Sequence, residues 1–232
     1  MDTVGKKINS VYVQVLYVQF ESVHLRAFDI PKFRGYLAKK YASYQLIHNH
    51  LENDKLRYAY PVIQFKTIVN KPVIIGIEEG IHVLKKVFLD INELRINKQR
   101  IQINEKSVML REWKLGQADE VISYRFISPW MALNQENHKK YKRMKWHEQR
   151  AFLEKILAGN LKSLSKAFNY FIPGFENLHV RLDIKPLTRN FKNIKMTCFT
   201  GTFQTNFHIP DHLGLGKQTA RGFGSGERIH KR

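Results

Sequence analysis

Two histidines separated by one residue, His48 and His50, lie where the sequence turns from apolar to polar at the end of a predicted helix. An imidazole can accept or donate a proton near neutral pH. Lys55 could stabilise negative charge, and Tyr41, on the predicted helix, could donate a proton. We favour His50 over His48, because it lies further into the polar stretch and nearer Lys55, whereas His48 directly follows the apolar Ile47.

Other roles remain open for these four residues. Both histidines could be surface residues or donors at a helix end, and Tyr41 could be packed in a core. A His-x-His pair could also bind a metal, but no carboxylate or cysteine accompanies it at ligand spacing. The sequence therefore predicts a site without a metal or cofactor.

A glycine-rich loop near the C-terminus, residues 212–226, holds five of the 13 glycines of the chain. Glycine tolerates positive φ and lets another backbone approach closely, so the loop is expected to present bare amide N–H groups. Amides combined with cations suit a phosphate or a phosphodiester chain. The residues expected to bind it are Gly214, Gly216, Lys217, Arg221, Gly222 and Gly224.

The known phosphate-binding loops do not fit this segment. A P-loop requires Ser or Thr directly after Gly-Lys, and here Gln218 follows Lys217. A dinucleotide fingerprint that begins at Gly214 requires a glycine at the position of Thr219. From its composition alone, the loop could also be a solvated, flexible tail.

The spacing of the glycines carries a resemblance. Gly-Leu-Gly, five residues and Gly-Phe-Gly resemble the C-terminal signature of the CRISPR-associated endoribonucleases that cut precursor guide RNA at its repeats. That family belongs to the repeat-associated RNA-binding superfamily. Three further stretches look like the same family, in the expected order: Tyr60–Lys66, Ser128–Asn134 and Ile156–Asn160.

The resemblance implies a chemistry and a place for it. Family members cleave RNA without a metal, through attack of a 2′-hydroxyl that leaves a 2′,3′-cyclic phosphate and a 5′-hydroxyl. They carry a catalytic histidine in the region of His48 and His50, with a nearby lysine, here Lys55, and a tyrosine from the first helix, here Tyr41. The substrate that the resemblance implies is CRISPR repeat RNA.

A basic run precedes the longest predicted helix. Tyr141 and Trp146 are interleaved with its cations and could stack on bases or sugars. A solvated helix face is the other reading. The cations expected to bind RNA are Lys139, Lys140, Lys142, Arg143 and Lys145.

Composition points to the same class of partner. The net charge is +19 and the pI is about 10.0, so a polyanion is expected. The longest apolar runs are too short for a transmembrane helix, and the first residues lack the apolar core of a signal peptide. The single cysteine, Cys198, excludes an internal disulfide and a thiolate metal cluster. We expect a cytoplasmic protein that binds no membrane.

The order of predicted elements is β-α-β-β-α-β over the first half, which is the ferredoxin-like pattern. The second half begins β-α-β-β and then reaches the glycine-rich loop. We therefore predict an α+β fold with two tandem ferredoxin-like (βαββαβ-type) domains, residues 1–115 and 116–232. The domain boundary is expected in the polar stretch 111–119, around Gly116. Gly159–Asn160 is expected to bend or break the long helix.

Three functions compete at this stage. The first is a metal-independent endoribonuclease that processes repeat RNA. The second is a non-catalytic RNA-binding subunit of a CRISPR effector complex. The third and weakest is a generic basic protein that binds nucleic acid or a membrane surface. The sequence leaves open whether the protein associates with effector-complex subunits or forms a homodimer.

Overall fold

The computed structural model describes residues 10–48, 60–191 and 194–230, which form a mixed α+β structure. The helices are α1 (Ile30–Lys40), α2 (Gln45–His48), α3 (Glu79–Val87), α4 (Gln135–Arg143) and α5 (Trp146–Ala167). The strands are β1 (Ser10–Phe20), β2 (Ile63–Ile68), β3 (Lys71–Ile77), β4 (Glu93–Ile96), β5 (Gln99–Gln102), β6 (Lys106–Phe126), β7 (Val180–Phe191), β8 (Ile194–His208) and β9 (Gly226–Arg228). The predicted α+β class is confirmed.

The first unit has the ferredoxin-like arrangement. Its strands lie in the order β2-β3-β1-β6, all antiparallel, with α1 and α3 as the two connecting helices. The β2–β3 hairpin turns at Val69 and Asn70, both with positive φ, one residue earlier than the sequence suggested. The strands are rich in Val and Ile and are largely buried, which favours their place inside a packed sheet.

Strand β6 belongs to both halves of the chain. Its first part pairs with β1, from Lys106 to Gly116, and its second part pairs with β8, from Gly116 to Arg125. The domain boundary predicted at 111–119 therefore lies within one 21-residue strand that both units share. The charged residues of this stretch point to solvent from the strand. A register shift between Gln117 and Ile122 marks the passage between the two units.

The second unit repeats the strand order of the first. Its strands lie in the order β7-β8-β6-β9, and α5 connects β6 to β7. The glycine-rich residues lie between β8 and β9, where a ferredoxin-like unit has its second helix. Helix α5 continues through Gly159 and Asn160, so the predicted break is wrong. A stripe of buried leucines runs along α5: Leu153, Leu157, Leu161 and Leu164. Their burial outweighs the low helix propensity of one glycine, which explains why the helix is continuous.

The core is continuous between the two units. On one face of the first sheet, Leu16 and Ile74 pack beneath α1 and α3. On the other face, Val15 and Ile75 belong to the same cluster as Leu157 of α5. Both faces of β1 are thus buried, and the two units share part of one core.

Residues 212–226, hereafter the glycine segment, dock on strand β2 of the first unit. The Tyr60 hydroxyl donates to the Gly214 carbonyl at 2.9 Å, and the Gly214 amide donates to Gln64 Oε1 at 3.0 Å. Lys66 is only 1% exposed and lies beneath the segment, with Nζ 3.4 Å from the Phe223 carbonyl. Burial lowers the pKa of Lys66 to about 7.

The buried Lys66 predicts how stability depends on pH. The unfolded chain holds this proton up to a pKa of about 10.4, whereas the folded protein releases it near pH 7. Between these values the unfolded state binds more protons, so the free energy of unfolding rises with pH, by at most roughly 1.4 kcal/mol per pH unit from this group. Lys66→Met should remove this rise, which denaturant unfolding at pH 7, 8, 9 and 10 would measure.

Lys85→Met is the matched control, because Lys85 is exposed on α3. It should retain the slope of the wild-type protein. Identical slopes for the wild type and Lys66→Met would contradict the buried position of this lysine.

Candidate functional site: the glycine segment and its surroundings

The glycine segment is a folded hairpin rather than a flexible tail. Its two arms exchange backbone hydrogen bonds: the His212 amide donates to the Gly226 carbonyl at 2.7 Å, and the Leu215 amide donates to the Gly224 carbonyl at 2.9 Å. A short 3₁₀ turn, Thr219–Arg221, forms the tip. Leu213 and Leu215 are buried and anchor one arm in the core.

The amides of Gly214, Gly222 and Gly224 donate within the protein, which corrects the expectation of bare N–H groups at these three positions. The Gly214 amide donates to Gln64, the Gly224 amide to the Pro129 carbonyl at 2.9 Å, and the Gly222 amide to the Thr219 carbonyl at 3.4 Å. The physical reason is that a buried backbone donor needs a partner. These glycines hold the segment in place, and the polar groups that face outward are mainly side chains.

The second unit holds the segment through residues 128–131. The Ser225 amide donates to Ser128 Oγ at 2.9 Å, and the Lys217 amide donates to the Met131 carbonyl at 2.9 Å. Trp130, between these anchors, is fully buried and donates from Nε1 to Asn160 Oδ1 at 3.1 Å. The segment thus bridges β2 of the first unit and the residues that follow β6 in the second.

Two glycines are required by this close packing. A Cβ at Gly224 would lie 2.0 Å from the Leu215 carbonyl oxygen, and φ there is +68°. A Cβ at Gly216 would lie 2.7 Å from both the Met131 carbonyl oxygen and Trp130 Nε1. Since both obstacles include backbone atoms, a side chain at either position would displace the segment.

Two cations project from the tip of the segment. Lys217 is exposed. Arg221 is half-buried: its guanidinium lies 5.6 Å from the centre of the Phe191 ring and donates to Gln218 Oε1 at 2.7 Å. Burial lowers the pKa of Arg221. The contacts with Phe191 and Gln218 fix the orientation of the Arg221 guanidinium before any ligand binds.

One histidine lies within the segment. The His212 ring contacts Tyr17 edge-on, with ring centres 6.1 Å apart, and Nδ1 is buried without a hydrogen-bond partner among the described residues. Burial lowers the pKa of His212, and the opposing charges of Asp211 and Glu227 only partly offset this. A neutral, packed imidazole is consistent with a structural role at this position.

The residues predicted to be catalytic are only partly described. His50 and Lys55 lie outside the described residues, and His48 is the last residue of α2, whose side chain is likewise not described. The chain on either side of residues 49–59 is anchored. Ile47 is buried in the core beneath α1, and Tyr60 donates to Gly214 of the glycine segment.

Tyr41 is a packed residue. Its side chain is 8% exposed, and its hydroxyl donates to the Val87 carbonyl at 3.3 Å. Burial raises the pKa of Tyr41 to about 12. This placement agrees with the core role that the sequence left open for Tyr41, and the hydroxyl is already committed to a backbone acceptor.

Most of the basic run lies in a helix of its own, α4, while Lys145 caps the start of the longest helix, α5. Asn134 caps α4 by accepting from the Asn137 amide. Trp146, the first residue of α5, is 78% exposed, whereas Tyr141 is half-buried and packs edge-on against Phe199. The cations of the run are all exposed: Lys139, Lys140, Lys142, Arg143 and Lys145.

Metal ligands do not cluster in the part of the chain that the structure describes. Within residues 10–48, 60–191 and 194–230, no group of three or more His, Cys, Asp or Glu side chains could hold a metal ion. No helix of the described ranges is long and apolar enough to cross a membrane.

Sequence reasoning missed the contacts of Tyr60, Gln64 and Lys66. These residues lie in a stretch that resembled the family, but neither their spacing nor their types indicated a partner 150 residues away. The available signal was the alternation of Gln64 and Lys66 along β2, since every second side chain of a strand faces the same side of the sheet.

Comparison with known proteins agrees with this architecture. Two family models match consecutive parts of the chain: the Cas6b N-terminal domain over residues 11–114 and the Cas6b C-terminal domain over residues 116–229. An uncharacterized protein of Methanocaldococcus jannaschii is 34% identical over 147 residues, which is 63% of this chain and 99% of that protein.

Two solved structures are similar along nearly the whole chain. A Cas6b crystal structure is 37% identical, with a TM-score of 0.90, and the match covers 94% of this chain and 100% of that one. A second, described as the CRISPR RNA processing endoribonuclease Cas6b, is 34% identical, with a TM-score of 0.77 and the same coverage. The resemblance read from the sequence is confirmed: the chain belongs to the Cas6b family of CRISPR-associated endoribonucleases.

Proposed function

We propose that the protein cleaves CRISPR repeat RNA by attack of a 2′-hydroxyl on the adjacent phosphodiester, without a metal ion. The products are a guide RNA with a 2′,3′-cyclic phosphate and a fragment with a 5′-hydroxyl. The observation that carries the proposal is the docked glycine segment, which joins the two units, carries Lys217 and Arg221 and accepts a hydrogen bond from Tyr60. The similar structure described as a CRISPR RNA processing endoribonuclease supports the choice of substrate.

The chemistry requires three groups at one phosphodiester. A base removes the proton of the 2′-hydroxyl, a cation stabilises the charge of the phosphorane, and an acid protonates the departing 5′-oxygen. His50 and His48 are proposed as base and acid, without an assignment of which does which, and Lys55 as the cation. Tyr41 is left out of this set, because Val87 occupies its hydroxyl.

RNA binding is proposed for two surfaces. The tip of the glycine segment contributes Lys217 and Arg221. Its glycines, which lack side chains, allow the backbone of the segment to approach the RNA strand. Helix α4 contributes a row of exposed cations, and the exposed ring of Trp146 can stack on a base. The residues 128–131 that hold the segment lead directly into α4, so the two surfaces are linked through a short stretch of chain.

The alternative is a non-catalytic subunit that binds the same RNA. Effector-complex subunits and a second copy of the chain are further candidate partners. We propose a cytoplasmic location for a protein that acts on this RNA. The enzyme is favoured over the subunit because the similar Cas6b structure is described as an endoribonuclease.

Cleavage of a labelled repeat RNA from the same genome tests the reaction. A single cut should persist in EDTA and disappear with a 2′-deoxy nucleotide at the cut site, because the attacking group is then missing. His50→Ala should reduce the cleavage rate by at least about 100-fold, with RNA affinity retained. His48→Ala should also reduce the rate. Gel analysis and a terminal-phosphate assay would measure both results.

Three outcomes separate the proposals. Tight, selective binding without a cut would reject the enzyme and leave the RNA-binding subunit. A cut that EDTA abolishes would reject the metal-independent route. Equal, salt-sensitive binding of repeat and unrelated RNA would favour the generic basic protein.

The docked glycine segment predicts a contrast between two glycine substitutions. Gly224→Ala places a Cβ against the Leu215 carbonyl and should weaken repeat binding by about tenfold or more, since the segment must move. Gly159→Ala meets open space on α5 and should leave binding unchanged while stabilising the helix by roughly 0.5–1 kcal/mol. Filter binding and thermal unfolding would measure both effects.

Lys217→Gln completes this comparison, because its exposed side chain can be changed without disturbing the fold. It should weaken RNA binding at an unchanged melting temperature. Wild-type affinity in both Gly224→Ala and Lys217→Gln would show that the segment does not contact RNA.

A further inference from the structure

The first half of strand β6 is an open edge of the sheet. It pairs with β1 on one side, whereas β8 pairs with β6 only from Gly116 onward and β9 only from Tyr124. Within the part of the chain that the structure describes, no strand pairs with the other side of residues 106–115. The backbone N–H and C=O groups along that side can therefore pair with a further strand.

Three consecutive apolar residues lie on this edge: Val108, Met109 and Leu110. Their side chains are between 43% and 51% exposed. The residues that they face on β1 are at most 5% exposed: Val18, Tyr17 and Leu16. The difference arises because β1 has a strand on each side and this part of β6 has only one. Edges of natural sheets usually carry charges, proline or a bulge, so an apolar edge indicates an interaction surface.

The apolar side chains of the edge lie on both faces of the sheet. Val108 and Leu110 face residues of β1 that belong to the core beneath α1 and α3. Met109 faces Tyr17, which belongs to the core on the opposite face. A helix laid on one face would leave part of this surface exposed. A strand that continues the sheet covers all three side chains.

The edge is complementary to itself in one register. When two copies of a strand pair antiparallel about a two-fold axis, the residue at the axis faces its own copy. With Met109 at the axis, Val108 of each copy faces Leu110 of the other, so that apolar residues meet. Glu112 of each copy then faces Lys106 of the other, so that opposite charges meet.

The neighbouring registers are unfavourable. An axis at Leu110 places Lys106 opposite Lys114, and an axis at Arg111 places two arginines face to face. Like charges that oppose one another directly destabilise a sheet. An axis at Val108 places the charged Lys106 opposite Leu110. The sequence of the edge therefore favours the register about Met109.

Lys106 is held in position by the chain that follows α3. Its Nζ donates to the carbonyls of Phe88 at 2.9 Å and Ile91 at 3.2 Å. These oxygens carry no net charge, so a carboxylate on the facing strand adds an electrostatic attraction. The charged pair selects the register, and the burial of the apolar side chains supplies most of the stability.

We propose that residues 106–112, the β6 edge, are the surface on which a second copy of this chain docks, with the two edges paired antiparallel about Met109. The sheet then continues from one copy into the other. The glycine segment and α4 contribute no residue to this interface. The inference goes beyond the proposed function and does not depend on it.

Cysteine cross-linking in the absence of RNA tests the register. Facing residues of an antiparallel pair have Cα atoms about 4.5–5.5 Å apart, which is within the range of a disulfide. Met109→Cys should therefore form a disulfide-linked dimer under mild oxidation, as a non-reducing gel would detect. Salt at about 0.5 M screens the repulsion between two chains that each carry a net charge of +19. The wild type should not cross-link, because its single cysteine, Cys198, is buried.

Val108→Cys is the matched control for the register. Its Cα would lie about 8 Å from the same atom of the second copy, which is too far for a disulfide. Val108→Cys and Leu110→Cys should each remain monomeric on the gel, whereas a mixture of the two should cross-link, because these residues face each other. The three positions are similarly exposed, so a difference in access cannot produce this pattern.

Met109→Lys tests the association itself. It places two lysines opposite each other at the axis and should weaken self-association by at least about tenfold. The melting temperature should stay unchanged, because the side chain of Met109 is partly exposed in the single chain. Val121→Lys changes another exposed apolar residue of the same strand, outside the β6 edge, and should associate like the wild type. Sedimentation equilibrium would measure both variants.

Three results would overturn the proposal. They are a wild-type protein that sediments as a monomer at every concentration, Val108→Cys that cross-links as readily as Met109→Cys, and equal association of Met109→Lys and the wild type. The first would exclude a second copy, the second would show a different register, and the third would place the interface on another surface. RNA is absent from these measurements, so their failure is distinct from a failure of the proposed function.

Discussion

The docking of the glycine segment against both units is the constraint on which the candidate site depends. Its backbone amides are satisfied from two directions, by Gln64 of β2 and by the Pro129 and Met131 carbonyls after β6. Because a buried amide without a partner costs free energy, these contacts specify one position for the segment. The three separated stretches that resembled the family contribute to this docking, the third because Asn160 Oδ1 accepts a hydrogen bond from Trp130.

Strand β6 provides the frame in which this docking is possible. Since one strand serves as the last of the first unit and the first of the second, the two units cannot rotate independently about a flexible linker. The shared core, in which Val15 of β1 and Leu157 of α5 belong to one cluster, adds to this rigidity. A segment that must contact both units therefore finds its partners at fixed distances, which favours a preorganised site.

Charge is concentrated where the two units meet. Lys66 is buried beneath the segment, and the half-buried Arg34 and Arg221 belong to the helix and the tip of the segment that meet at Ile30 and Gly222. Burying or crowding cations is unfavourable in the absence of counter-charge. A chain with a net charge of +19 can recover this cost when it binds a polyanion, because each phosphate neutralises a cation and releases its own counterions. The exposed cations of α4 add positive charge without a cost of burial.

The sequence determined the fold class, the ferredoxin-like order of the first half and the family. These follow from local information: hydrophobic periodicity, the hairpin before Lys71 and the spacing of glycines in residues 212–226. It was misleading where a local property had a distant cause. The polar residues near Gly116 suggested the edge of a domain, but they lie within a strand that both units share and that pairs with β1 and β8. Gly159 suggested a break, which the burial of its neighbouring leucines overrides.

Only the tertiary structure decided how the site is assembled. The glycines were expected to offer free amides, yet the amides of Gly214 and Gly224 donate to Gln64 and Pro129, 150 and 95 positions away. The contacts of Lys66 with Phe223 and of Ile30 with Gly222 depend on the packing of one unit on the other, which leaves no periodic trace in the sequence. Residue types and spacing could indicate that a phosphate would be bound. The distances that bring the cations together arise only when long-range contacts close the fold, because each of those contacts joins segments that are far apart along the chain.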